Sequence, residues 1–323
     1  MRRRLALAAC TAVAVAGLVA GTGANANAAL NVNWNWAAGF IPNLPNSAQT
    51  PPGAENVSKA GTTSSCNWKN SPNKLPLILV HGTWEQQRDN WMAMSPYFKN
   101  KGYCVYTLNY GGNPGDVMWG WQGIANSAGQ LNAYINRVKA ATGATQVDIV
   151  GHSQGGVMPR YCIKYEPGCM ASVRNFVGLA SSNNGTTLSG LAKLGKAIGL
   201  VDPLALVQPA AIDQTIGSDF MNKVNSCPTG AAANVCVGDT VKYTVLETNG
   251  DQVVTPYTGA FLSKQAGVPA SQVTNILVNN QCILETSEHL GMTYSQNVAT
   301  RAARALDGKT AAKCVVSLPY IGG

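Results

Sequence analysis

The chain has 323 residues, a formal net charge of +8, and only 12% charged residues, about half the share in an average globular domain. The basic excess is scattered without a Lys/Arg run, which argues against a nucleic-acid partner. Beyond the first 20 residues, no apolar stretch reaches the ~20 residues that a transmembrane helix needs.

The first 28 residues have the pattern of a signal peptide. Arg2, Arg3 and Arg4 form a basic start, an apolar core runs over residues 5–20, and small residues follow near 26–29. That core is short for a bilayer span. We therefore predict a secreted protein whose mature chain carries a net charge of +5.

Residues 29–74 are rich in Asn, Pro, Ser and Gly, and we interpret them as an irregular N-terminal arm that wraps the domain at 75–323. In that domain, short apolar runs typical of doubly buried strands alternate with helical patterns. The alternation predicts an α/β fold with a mostly parallel central sheet and helices on both faces. The predicted strands are 75–80, 103–110, 146–150, 173–181, 241–249 and 273–279, and the predicted helices cover 122–142, the residues after 153, and 297–306.

A strongly apolar insertion covers about residues 185–225, between two predicted strands. Two interpretations are equally compatible with it. It could be a cap-like element at a lipid–water interface, where exposed apolar patches are typical, or it could simply pack on the domain.

Gly151, Ser153 and Gly155 form a G-x-S-x-G pattern at the end of a predicted strand. The pattern alone is weak in a glycine-rich chain, and the serine could simply cap the following helix. The strand–turn–helix context favours a nucleophile elbow, with Ser153 as the nucleophile.

A nucleophilic serine needs an imidazole to take its proton, and the chain has three histidines, His81, His152 and His289. The side chain of His152 should point away from its neighbour Ser153. His81 follows the first predicted strand, where oxyanion donors are expected. His289 is therefore the predicted base.

The acid should lie between Ser153 and His289, as in the α/β-hydrolase order Ser…Asp/Glu…His. Asp251 fits best, because it follows an Asn-Gly turn at the carboxyl end of the strand at 241–249. Glu288 remains the alternative. Asp251 could also merely stabilise a turn. However, Ser153, Asp251 and His289 each follow a predicted strand and occur in the expected order, which favours a triad.

The oxyanion formed during acyl transfer needs positioned hydrogen-bond donors. Gln154 offers its backbone N–H directly after the nucleophile. Thr83 offers a second N–H and its hydroxyl, although it could equally be a turn residue after Gly82. These two residues are the predicted oxyanion hole.

Cys10 lies in the predicted signal peptide. The other eight cysteines are an even number, and their spacings fit no zinc motif. In an exported chain this predicts disulfides. Closeness along the chain favours Cys162–Cys169 and Cys227–Cys236 and leaves the pairing of the other four open. No residue cluster suggests a metal or any other cofactor.

Four segments together resemble the secreted bacterial class 2 lipases of actinomycete type, within the α/β-hydrolase superfamily, and more distantly the fungal lipase B group. They are HGTW at 81–84, GHSQGG at 151–156, GDQVVTPY at 250–257 and HLGMTYS at 289–295. The resemblance extends from about Cys66 to Cys314. One departure is His152, where the fungal group has a tryptophan, so the stereochemical preferences of that group are not transferred.

The resemblance implies a catalytic triad of Ser153, Asp251 and His289 and an oxyanion hole of Thr83 and Gln154. It further implies that Val253 and Val254 line the acyl pocket and that the remaining disulfides are Cys66–Cys104 and Cys282–Cys314.

These observations predict a secreted serine carboxylic-ester hydrolase, a triacylglycerol lipase that acts through an acyl-enzyme without a cofactor. The expected partner is a lipid or ester substrate, at a lipid–water interface where one exists, and the expected state is a monomer. The alternatives are an acyltransferase or polyester hydrolase with the same triad, and a catalytically silent hydrolase-fold binding protein.

Overall fold

The structure, a computed structural model, describes residues 29–57, 59, 61–70, 74–200 and 203–323. The predicted signal peptide at residues 1–28 lies outside this part of the chain. Among the helices of the described residues, none is long and apolar enough to cross a membrane.

Seven strands form one sheet in the order β1-β3-β2-β4-β5-β6-β7, and every neighbouring pair is parallel. The parallel sheet expected from the apolar runs is confirmed. The strands are β1 Ala54–Glu55, β2 Leu77–Val80, β3 Val105–Leu108, β4 Val147–His152, β5 Val173–Leu179, β6 Lys242–Glu247 and β7 Val273–Leu277.

Helices surround this sheet. The two longest α-helices end at Gly143 and Gly308, whose φ angles of 68° and 69° are left-handed, a conformation that glycine adopts without strain. Within the described residues the α-helices are α1 Trp36–Gly39, α2 Gln87–Trp91, α3 Met94–Asn100, α4 Ile124–Thr142, α5 Met158–Tyr165, α6 Cys169–Ser172, α7 Leu188–Ala197, α8 Pro209–Asp213, α9 Asp219–Val224, α10 Val278–Gln281 and α11 Gln296–Asp307.

Side chains of successive strand residues point to opposite faces of the sheet, so the core divides into two large clusters. On one face Ile78 and Ile149 pack with residues of α4 and α5. On the other face Leu79 packs with residues of α3 and α11. The sheet and the helices on its two faces thus form three layers, which fix where the strands end.

The N-terminal arm is not wholly irregular as expected, because it contains the short helix α1 at Trp36–Gly39 and one strand of the sheet. Residues Ala54–Glu55 form β1, which pairs with β3 and completes one edge of the sheet. The arm is also attached elsewhere, since Leu30 and Asn100 exchange two hydrogen bonds of 2.8 Å.

The insertion is built from α7, α8, α9 and a 3-10 turn at Pro203–Val207. Its inner side chains, including Leu191 and Leu194, pack with Trp84 and Val253 in one apolar cluster. Its outer side chains form an apolar rim with exposed fractions of 51–69%, consisting of Leu188, Leu204, Val207, Ile212 and Ile216. The insertion thus both packs on the domain and exposes apolar surface.

Four disulfides link the eight cysteines of the described chain. They are Cys66–Cys104, Cys162–Cys169, Cys227–Cys236 and Cys282–Cys314. The first joins the arm to the residue before β3, and the last closes the segment that carries His289.

Candidate active site

Ser153 directly follows β4 and has a φ of +55°. Among the described residues, only three other non-glycine residues have a positive φ: Trp84, Ala180 and Tyr320. Such backbone strain persists only where the surroundings enforce it, and it is expected of a serine on a nucleophile elbow.

The glycines around Ser153 leave the space that the turn requires. A Cβ on Gly151 would lie 1.8 Å from the carbonyl oxygen of Gly155, and one on Gly155 would lie 2.2 Å from that of Val80. Neither contact can be relieved without moving backbone. The G-x-S-x-G pattern therefore has a steric reason in this fold.

The structure brings His289 and Asp251 together. His289 Nδ1 lies 2.7 Å from Asp251 Oδ2, and both residues are buried. The other carboxylate oxygen, Oδ1, accepts hydrogen bonds from the backbone N–H groups of Val253 and Val254 at 2.7 and 2.8 Å. The carboxylate is thus held in place, and His289 Nε2 has no hydrogen-bond partner among the described residues.

Glu288, the alternative acid, has other partners. Its two carboxylate oxygens accept from the backbone N–H of Gly291 at 3.0 and 2.9 Å, and it makes no hydrogen bond to the His289 ring among the described residues. Burial raises the pKa of Glu288. Its geometry is that of a carboxyl group that stabilises the local turn.

The side chain of His152 bridges two loops. Its Nε2 lies 2.9 Å from the backbone oxygen of His289, and its Nδ1 lies 3.0 Å from Glu85 Oε2. Burial disfavours the charged ring, but Glu85 and the carbonyl of His289 outweigh that effect and raise the pKa of His152. The same Glu85 oxygen accepts from Gly82 N at 2.8 Å.

His81 is a structural residue behind the site. Its ring stacks on Tyr110 with centroids 4.3 Å apart, and Nδ1 lies 2.8 Å from the carbonyl oxygen of Gly82. Complete burial lowers the pKa of His81 to about 4, so the ring is neutral at neutral pH.

The loop after β2 lies directly against the nucleophile. A Cβ on Gly82 would lie 3.0 Å from Ser153 Cβ. Thr83 is 1% exposed, and its Oγ1 lies 2.7 Å from Gln214 Nε2. Gln154 is the second residue of a 3-10 turn at Ser153–Gly156, and the first N–H groups of a helix lack intrahelical partners.

The two valines after Asp251 pack differently. Val253 is 4% exposed and belongs to the cluster that includes Trp84 and Leu290. Val254 is fully buried in the large cluster on the α4 side of the sheet. Burial and the neighbouring Asp251 raise the pKa of Glu247 well above its usual value.

Two residues at the site carry no motif that sequence reasoning could use. Glu85 and Gln214 are polar, almost fully buried, and bonded to partners 67 and 131 positions away. Across the described residues, no group of three or more His, Cys, Asp or Glu side chains is arranged to hold a metal.

Comparison with solved structures supports the fold. Aspergillus fumigatus lipase B is 20% identical, with a TM-score of 0.56 over 80% of this chain and 61% of that chain. Bacillus licheniformis lipase BlEst2 in its propeptide form is 16% identical, with a TM-score of 0.50 over 80% and 54%. With the all-parallel sheet, these similarities confirm the α/β-hydrolase fold.

Comparison with curated proteins gives two triacylglycerol lipases, from Pseudarthrobacter phenanthrenivorans and Burkholderia plantarii. Each is 30% identical over 154 residues, which is 46% of this chain and 43% or 38% of the relative. The aligned segment thus spans less than half the length of either relative.

A family model described as lipase (class 2) matches residues 74–281. This match includes Thr83, Ser153 and Asp251 and ends before His289. Because it covers more than half of the 323 residues, the chain belongs to the class 2 lipase family.

Proposed function

We propose that this protein is a secreted serine hydrolase of carboxylic esters and acts as a triacylglycerol lipase. The observation that carries the proposal is the strained Ser153 on its elbow together with the buried Asp251–His289 pair. Family membership and the two triacylglycerol lipase relatives support the same activity.

In the proposed mechanism Ser153 Oγ attacks the ester carbonyl while His289 Nε2 takes its proton. Asp251 accepts from Nδ1–H, which fixes the tautomer that exposes Nε2 and stabilises the imidazolium. The alcohol leaves with the proton from His289, and water then hydrolyses the acyl-enzyme by the same proton path. Nε2 is available for this role because no group of the described chain forms a hydrogen bond with it.

The developing oxyanion would be stabilised by the backbone N–H groups of Thr83 and Gln154. The closeness of Gly82 to Ser153, where a Cβ on Gly82 would lie 3.0 Å from Ser153 Cβ, supports this assignment because the loop of Thr83 then runs beside the nucleophile. Donors that are already fixed in a buried site require little reorganisation when charge develops.

We further propose that the apolar rim of the insertion contacts the lipid–water interface. Its five side chains are more than half exposed although the same segment packs inward through Leu191 and Leu194. Replacing Leu204 and Val207 by serine should slow hydrolysis of a triglyceride emulsion and leave hydrolysis of a soluble butyrate ester near the original rate. Equal loss on both substrates would contradict an interfacial role.

The activity is tested with p-nitrophenyl esters of two to sixteen carbons and a triglyceride emulsion. Ser153→Ala, His289→Ala and the double variant should each lose on the order of 10⁴-fold or more in kcat, because triad members act as a unit. Retention of a tenth of the activity by Ser153→Ala would refute the proposal. Adding an alcohol acceptor and analysing products separates hydrolysis from acyl transfer.

Export and a monomeric state complete the proposal. The four disulfides support an oxidising destination. N-terminal sequencing of protein from the culture medium should start near Ala29 or Leu30, and light scattering should give the mass of a single chain. A cell-retained protein that keeps its first 28 residues would contradict export.

A further inference from the structure

The hydroxyl of Thr83 has one hydrogen-bond partner among the described residues, the side-chain amide of Gln214. Gln214 Nε2 lies 2.7 Å from Thr83 Oγ1, and each residue is 1% exposed. Gln214 follows α8 in the insertion, 131 positions from Thr83 in the chain. A residue of the insertion therefore reaches the loop beside the nucleophile.

The surroundings of Gln214 determine which end of its amide faces Thr83. Nε2 also lies 3.0 Å from the carbonyl oxygen of Ala210, which can only accept. Oε1 lies 2.9 Å from the hydroxyl of Ser182, which donates to it. Both amide hydrogens are thus used, one on Ala210 and one on Thr83, so the Thr83 oxygen is an acceptor in this pair.

The backbone of Gln214 is also held. Its N–H donates to the carbonyl of Ala210 at 3.2 Å, and its own carbonyl accepts from Thr186 N at 2.8 Å. The amide therefore projects from a fixed position and joins the insertion to the loops after β2 and β5.

A threonine hydroxyl has a single proton, and its direction decides whether the group can stabilise an anion. If the hydroxyl faced a carbonyl or carboxylate, it would donate there and present only lone pairs elsewhere. Because Gln214 donates to Thr83, the hydroxyl proton remains available for a different acceptor. No other described group accepts it.

We propose that Gln214 is a positioning residue that keeps the Thr83 hydroxyl as a third donor of the oxyanion hole, beside the backbone N–H groups of Thr83 and Gln154. This inference rests on the proposed hydrolase function. Since the charge on the substrate oxygen develops only in the transition state, the contribution should be seen in kcat and not in KM.

Gln214→Glu is the most direct test, because it keeps the shape of the side chain and replaces the donating nitrogen by an accepting oxygen. The Thr83 hydroxyl would then donate to the carboxylate and no longer to the substrate. We expect kcat on a soluble short-chain ester to fall about 10²-fold, the scale for loss of one oxyanion donor, with little change in KM. Thr83→Val, which removes the hydroxyl and keeps the N–H, should lose a similar amount.

The double variant Thr83→Val/Gln214→Glu isolates the coupling. Once the hydroxyl is absent, Gln214→Glu should lower kcat by less than about threefold more, because the residues act through one bond. Losses that multiply would show that Gln214 acts independently of Thr83 and would overturn the inference. A kcat near that of the unmodified protein for Gln214→Glu would overturn it as well.

Two further variants keep the test decisive. Gln208→Glu is the matched control, because Gln208 lies on the same insertion and uses Oε1 as an acceptor for Trp84 Nε1 at 2.6 Å, a role that a carboxylate retains. The kcat of Gln208→Glu should stay within about twofold of that of the unmodified protein.

If Gln214→Glu fails to fold, Gln214→Met removes the amide without adding charge and should lower kcat about tenfold. An unchanged kcat for Gln214→Met would overturn the inference.

The outcomes also separate this inference from the proposed function. If Ser153→Ala keeps its activity, the hydrolase mechanism itself is wrong. If Ser153→Ala is inactive and Thr83→Val keeps full kcat, only the role of the hydroxyl is wrong. If both lose activity and the Gln214 variants do not, only the positioning role fails.

Discussion

The imidazole Nε2 of His152 lies 2.9 Å from the backbone carbonyl oxygen of His289. A carbonyl can only accept, so Nε2 carries a proton. The other ring nitrogen faces Glu85, which also accepts from Gly82. One buried side chain thus joins the loop after β2, the nucleophile elbow and the loop of the proposed base.

Replacing His152 by Phe should destabilise the folded protein and lower the rate of ester hydrolysis. The buried carboxylate of Glu85 would lose its cationic partner and keep only the hydrogen bond from Gly82 N–H. Removing one partner of a buried ion pair typically costs about 3–5 kcal/mol. Urea unfolding measures the stability, and steady-state kinetics should show a larger effect on kcat than on KM. The double variant Glu85→Gln/His152→Phe is the control and should be more stable than His152→Phe alone, because it has no unpaired charge. Equal stability of the two would contradict the bridge.

Asp251→Asn and Glu288→Gln should differ sharply in activity. The asparagine would keep the shape of the side chain but favour the wrong tautomer of His289, and a loss of about 10⁴-fold in kcat is the scale of that fault. Glu288→Gln should lower kcat by less than about threefold, because the carboxyl group of Glu288 accepts hydrogen bonds from the backbone N–H of Gly291 and not from the His289 ring. Both variants are measured on one short-chain ester. The reverse result would mean that the acid is misassigned.

His81 should make the protein less stable in acid. Its pKa is about 4 in the folded protein and about 6.5 in the unfolded chain. Between these values the unfolded state binds the proton and the folded state does not, so stability is lost as pH falls from about 6.5 to about 4. The loss is on the order of 3 kcal/mol.

His81→Gln removes this titration while keeping a side chain that can donate to Gly82. The difference in unfolding free energy between the unmodified protein and His81→Gln should therefore change with pH across that window and be flat above pH 7. A constant difference from pH 7.5 to 4.5 would contradict a neutral, buried His81.

The mature protein should contain no free thiol after denaturation without reductant. Two or more reactive sulfurs per chain in a thiol titration would contradict the four disulfide bonds. Replacing Cys282 and Cys314 by serine should lower activity most, because the bond closes a 32-residue separation that contains His289, and should cost about 2–5 kcal/mol. The matched control is Cys162→Ser/Cys169→Ser, whose bond spans 7 residues.

Much of the fold could be predicted from local patterns. The apolar runs are the strands because doubly buried strands in a parallel sheet need apolar side chains on both faces. β1 could not be predicted, because Ala54–Glu55 is too short and too polar to form such a run and depends on its pairing with β3.

In the candidate site, too, some residues could be predicted from the sequence and others could not. Ser153 lies in a motif with steric requirements, and Asp251 and His289 follow from chain order. The supporting residues Glu85 and Gln214 could not be predicted, because their roles depend on partners that only tertiary contact brings near. A buried polar side chain has a meaning only once its partners are known.

The two residues of β1 also affect how one molecule meets another. Without β1, the outer side of β3 would present unpaired backbone groups from a fully buried apolar strand, and such an open edge readily pairs with a strand of another chain. The Cys66–Cys104 bond and the 2.6 Å hydrogen bond between the hydroxyls of Ser64 and Tyr106 of β3 fasten the arm over that edge. Within the arm, Glu55 of β1 accepts hydrogen bonds from the hydroxyls of Ser64 and Ser65. Reducing the bond should therefore expose the sheet to aggregation before it affects the chemistry at Ser153.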